Sequence, residues 1–237
     1  MSRHDLFGTL YDASEVAVAI RTFNFTDRRK NWERGSFVKL PREEARGRHG
    51  AKYHAANIYE YGLLVQAERV VSRAAASSVV YTAFESMKRT AESRISRLPE
   101  KERNAIRSTR TFSQQEDLWD FGGFIDHPRI YFNPDFLDRS ANNALYWVFD
   151  TADVRPDPKN SGSEVAYERD LIMVRGGNSL DKAFKDLRKS YDTQHPGQTS
   201  KSWSAFGVLN VTDTLRTIDF MLEGLLDARM LERGESL

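Results

Sequence analysis

Cysteine is absent from all 237 residues, which excludes disulfides, thiolate catalysis and every zinc site built on cysteine. No apolar run approaches the roughly 18 residues needed to span a bilayer. The opening Met1-Ser2-Arg3-His4-Asp5 lacks the charged-then-apolar layout of a signal peptide. Histidine is sparse, and positions 4, 49, 54, 127 and 195 show no metal-site spacing. Asp120-Phe121-Gly122 has the letters of a kinase magnesium motif, but no phosphate loop or catalytic-loop partner accompanies it. No internal repeat is present. These absences leave the expectation of a cytoplasmic protein of one large domain or two smaller ones, without a membrane partner, a metal or a cofactor.

What is there is an ordinary globular balance, 40% hydrophobic and 29% charged, with an uneven charge distribution. Residues 1–54 hold 11 Lys/Arg against 7 Asp/Glu, although the whole chain is only +1. Between Arg28 and Lys52 the imbalance sharpens to nine basic against three acidic residues. A locally basic segment on a near-neutral chain suits a phosphate-binding surface. A solvated charged face is the alternative.

Asp12 and Glu15 have capping-box spacing ahead of Val16, Ala17, Ala19 and Ile20, which predicts a short helix near 13–21. Arg21 to Phe25 reads as a turn. Thr26 is the expected N-cap of a second helix running to about Arg34 and stopped by Gly35. Phe37 to Pro41 reads as extended, and the Arg/Gly-rich stretch from Arg42 to Gly50 as a wing or loop. Asn57 and Glu60 repeat the capping-box spacing. Ile58, Tyr61, Leu64, Val65, Val71 and Ala75 then recur at helical steps, and the pattern runs on to Leu98 before Pro99. At the small-residue run Ala74 to Ser78 either another helix approaches closely or the pattern is two helices with a break.

Residues 99–118 read as a linker or exposed helix. An aromatic-rich, irregular stretch follows from Trp119 to Phe136. Strands are expected at 145–149, 170–174 and 205–211, with amphipathic helices at 179–191 and 213–231. The fold class expected is α+β: an N-terminal winged helix-turn-helix over 1–70, a helical connector over 71–118 that is a candidate for dimerisation, and a mixed α/β domain over 119–237 for effector sensing or oligomerisation.

A two-helix module of this size reads DNA with its second helix in the major groove. Arg28, Arg29, Lys30 and Asn31 supply long donors near that helix's start, and arginine and asparagine make bidentate contacts to guanine and adenine. Thr26, Arg34 and Tyr53 complete the expected set on and beside the helix. Arg42, Arg46, Arg48 and Lys52 would flank the duplex from the wing and give salt-sensitive affinity. Trp32 packs beneath the helix or lies on the sugar-phosphate backbone.

Ser14-Glu15-Val16-Ala17, Trp32-Glu33-Arg34-Gly35, Gly50-Ala51-Lys52-Tyr53 and Asn57-Ile58, in this order, resemble the winged helix-turn-helix of MerR-type regulators and the related excisionase-like modules. The resemblance covers about 55 of the 237 residues. The turn at Arg21–Phe25 lacks the family's glycine, the Trp-to-Gly spacing is one residue short, and the wing is elaborated. The resemblance implies that the helix beginning near Asn57 pairs with its copy in a dimer and that the C-terminal part senses a small-molecule or protein effector.

The second half offers little chemistry. Asp126-His127-Pro128 and His195 are isolated. Glu164, Glu168 and Asp170 form an acidic site or simply the solvated side of a strand. Trp119, Phe121, Phe124, Tyr131, Phe132, Phe136, Tyr146, Trp147 and Phe149 line an apolar pocket or form a core. Three functions compete: a homodimeric, nucleoid-associated transcriptional regulator reading double-stranded DNA, an excisionase-like or architectural protein of a mobile element, and a metal-dependent DNA-processing enzyme. The regulator, not an enzyme, is the function expected.

Overall fold

Asp12 starts the first helix. Its Oδ1 accepts the backbone N–H of Ser14 at 2.8 Å and of Glu15 at 3.1 Å, and Glu15 Oε2 accepts the N–H of Asp12 at 2.8 Å. This reciprocal cap opens α1, Ala13–Ala19, as the Asp-x-x-Glu spacing predicts. The computed structural model describes residues 5–40, 51–108, 121–132, 146–150, 174–177, 179–194 and 206–234.

The turn after α1 dispenses with glycine by placing Arg21 and Asn24 in the left-handed region, at φ 50° and 56°. Asn24, not Thr26, is the N-cap of α2, Phe25–Arg34, and its side chain makes no capping bond. The backbone conformation of Asn24 sets the boundary, and Asn tolerates it better than Thr. Phe25 and Trp32, seven residues apart, are buried on one face. Gly35 ends the helix at φ −84°, and the left-handed residue is Ser36, at φ 53°. Beyond the undescribed residues 41–50, Tyr53 pairs with Tyr11 in an isolated antiparallel bridge, N–H to O 2.9 Å both ways.

The Asn57/Glu60 spacing misplaces the next helix start. Helix α3 is Ala55–Ala67 with His54 as N-cap, and Asn57 Oδ1 reaches back to accept the His54 N–H at 3.0 Å. Residues 55–65 and Ala67 are all buried, so α3 is the central helix of the core, covered by its own chain. The helical pattern does break: α4, Arg73–Ser96, starts after Ser72, whose Oγ accepts the Ala75 N–H at 3.4 Å. Within the small-residue run Ala76 and Ser77 are buried, and Ser77 Oγ donates to the Phe37 carbonyl at 2.9 Å.

Helix α5, Glu100–Ser108, follows, with Ile106 packed against the core and its carbonyl 3.0 Å from His127 Nε2. Two single turns, α6, Gly122–Asp126, and α7, Pro128–Tyr131, set Phe121, Phe124 and Phe132 against Phe84 of α4, and Phe132 also meets Tyr59 of α3. The described aromatics of this stretch are therefore core; Trp119 and Phe136 lie outside the described residues.

Three short strands, β1 Tyr146–Asp150, β2 Val174–Gly177 and β3 Phe206–Asn210, form an antiparallel sheet in the order β2-β1-β3. Helix α8, Leu180–Gln194, covers it, with Ala183 and Leu187 on Val148. The last helix, α9, Val211–Glu232, is capped by Asn210 Oδ1 and returns to the centre. It crosses α3 at Gly62, where an added Cβ would lie 2.4 Å from Ile218 Cδ1. Arg229 of α9 donates to both carboxylate oxygens of Glu15, through Nε at 2.7 Å and through Nη2, and its guanidinium lies 5.6 Å from the Tyr11 ring centre. Tyr59 of α3 donates to Asp219 of α9.

The expected α+β class is therefore corrected. Helices make up most of the described residues, and the strands are four or five residues each, with Leu209 of β3 buried in the main core. One cluster of buried side chains runs from Leu6 through α3 and α4 to Leu226. The physical reason is α3: a helix buried on nearly every side must be enclosed by other elements, and the C-terminal α9 is one of them.

Candidate nucleic-acid interface

The ten residues of α2 divide into two faces. On the inner face Trp32 is fully buried, stacks on Tyr61 with ring centres 5.4 Å apart, and donates Nε1–H to Glu68 Oε1 at 2.6 Å. Arg28 follows it inward. Its guanidinium donates to Thr22 Oγ1 at 3.0 Å and to the Glu68 carboxylate, and lies 5.2 Å from the Trp32 ring centre. Glu68 also accepts from Arg73 Nε at 3.0 Å, so one carboxylate ties α2 to the α3–α4 junction. Arg29 donates from Nη1 to the Tyr53 hydroxyl at 2.5 Å, and its Nε lies 3.5 Å from the Glu33 carboxylate. Tyr53 is fully buried. Arg28, Arg29 and Tyr53, expected at the duplex, are thus engaged with their own chain.

The outer face carries Thr26, Asp27, Lys30, Asn31 and Arg34, all exposed. Lys30 stands 3.9 Å from Asp27, a loose pair open to solvent. Lys52 is half-buried near Asp12. The carboxyl of Asp12 is held below its ordinary range chiefly by the Ser14 hydroxyl bond, with the Lys52 charge contributing. Arg42, Arg46 and Arg48 lie outside the described residues.

Glu60 holds the backbone at Lys39 and Leu40, within the basic segment. Its carboxylate is buried in α3 and accepts the N–H of Lys39 at 2.6 Å and of Leu40 at 3.2 Å. Burial pushes its pKa up to about 8, and the two N–H bonds and the Lys39 charge pull less strongly the other way. Sequence reasoning placed Glu60 in a capping box and overlooked Glu68. The available signal for Glu60 was a lone acid among Ile58, Tyr59, Tyr61, Leu63 and Leu64. For Glu68 there was none, because its partners Arg28 and Trp32 lie 40 and 36 residues away.

Among the described residues no group of three or more His, Asp or Glu is arranged to hold a metal ion. The acidic candidates Glu164, Glu168 and Asp170, and His4, His49 and His195, lie outside those residues. No helix among the described residues is long and apolar enough to cross a membrane. Comparison with protein-family models, curated proteins and solved structures finds no match for this chain.

Proposed function

We propose that the protein is a sequence-specific DNA-binding regulator that lays the outer face of α2 in the major groove of double-stranded DNA. The observation that carries this reading is the two-sidedness of α2. Phe25, Trp32 and the Arg28–Glu68 pair anchor its inner side, while Thr26, Lys30, Asn31 and Arg34 face solvent behind a short helix and turn. Asn31 and Arg34 have the donor geometry to read adenine and guanine, and Lys30 suits a phosphate. Arg28 and Arg29 serve the reading indirectly, by fixing the helix. In this reading a homodimer would present two α2 helices about one DNA turn, ~34 Å, apart on a palindromic site.

A duplex recovered by selection from a random pool tests the assignment. Asn31→Ala and Arg34→Ala should each weaken binding to that duplex by about 5- to 100-fold, corresponding to roughly 1–3 kcal/mol per base contact. Lys30→Ala should weaken binding to all sequences alike and lower the salt slope by about one. Recovery of no preferred sequence, or wild-type affinity in all three variants, would refute the reading.

A further inference from the structure

An apolar residue just ahead of a helix N-cap ordinarily packs on the fourth residue of that helix. Phe23 stands ahead of Asn24, but the fourth helical residue is Arg28, whose guanidinium is taken up by Thr22, Glu68 and Trp32. Phe23 has no such seat and is 93% exposed. The turn that displays it is strained and braced. Arg21 and Asn24 are both left-handed, which is uphill for arginine, and Thr22 is held by the Arg28 bond. Backbone strain of this kind clusters at ligand-contacting and functional sites.

The neighbours of Phe23 say what it contacts. Phe23 sits in the turn ahead of α2, and Thr26, Lys30 and Arg34 at three- and four-residue steps form the exposed stripe of the helix that follows it. Apart from Asp27, the polar side of that stripe is cationic, which suits a polyanion carrying apolar groups at base level. Phenylalanine meets that requirement at the C5 methyl of thymine.

We propose that Phe23 is a specificity-determining residue of the α2 surface, contacting a thymine methyl in the major groove at the N-terminal end of the helix; this rests on the DNA-binding reading above. The test uses the full chain and the selected duplex, with each thymine of the site replaced in turn by deoxyuridine, which lacks the methyl. In the wild type one such replacement should weaken binding about 3- to 10-fold. Phe23→Ala should weaken binding to the thymine duplex by a similar factor and show no further loss on the uridine duplex. Its melting temperature should match the wild type, since the ring is exposed. A Phe23→Ala variant that binds as the wild type, or in which the uridine effect persists in full, overturns the role of Phe23 while leaving the α2 surface standing. A wild-type chain that binds no duplex overturns both. Lost self-association in Phe23→Ala with unchanged duplex affinity assigns the ring to a protein contact and overturns the proposal.

Discussion

Glu60 couples proton binding to folding. In the folded protein it keeps its proton up to about pH 8, whereas in the unfolded chain it ionises near its ordinary 4.5. Between those values the folded state binds more protons, so this residue's contribution to stability falls as pH rises. The full loss, on the order of a few kcal/mol, is reached above pH 8. Glu60→Gln should flatten this slope in denaturation curves taken from pH 5 to 9, and an unchanged slope would remove Glu60 as its source. The residue also shows where local reading stops. Asp12 and Glu15 and the pair Asn57 and Glu60 share one spacing, yet only the first forms the expected box. The second carboxylate is claimed by backbone N–H groups about twenty residues earlier in the chain, which no window of a few residues reveals.

At the scale of elements, α2 depends on Glu68 as much as on its own sequence. That carboxylate is mostly buried and receives Arg28, Trp32 and Arg73 from two sides. Glu68→Ala strips all three and should destabilise the protein by about 2–3 kcal/mol in chemical denaturation. Glu68→Gln keeps an acceptor for Trp32 and should be milder. Equal losses in both variants would mean that the Trp32 bond contributes nothing. Helix existence was legible here because apolar periodicity is a short-range signal: α1, α2, α8 and α9 fall close to their expected positions. The faces of α2 were not legible. Arg28, Arg29 and Lys30 look equivalent as letters, and only the positions of Glu68 and Tyr53 turn the first two inward.

At the scale of the whole molecule, α9 joins the chain's two ends in one core. Leu222 is fully buried there, and Leu222→Ala should lower stability by about 2–5 kcal/mol. Because α3 lies against α9, amide exchange in α3 should accelerate with that global loss. Leu187→Ala, under the small sheet, should leave α3 protection nearly unchanged. Undisturbed α3 exchange in Leu222→Ala would show that the two helices unfold separately. The sequence announces an amphipathic α9 but not its destination, since a hydrophobic face says that something must cover it and not what. Hence the α+β class followed from strand-like periodicity in the second half, and the largely helical packing corrected it.

The pairing of Tyr59 with Asp219 spans 160 residues. During synthesis at about 5–20 residues per second, α3 leaves the ribosome roughly 8–30 s before the segment that covers it. For that interval the nascent chain carries a helix that the finished fold buries, with one wall missing. The Glu15 carboxylate likewise waits for Arg229. The enclosure of residues 55–67 is therefore completed only when the last described helix has been made.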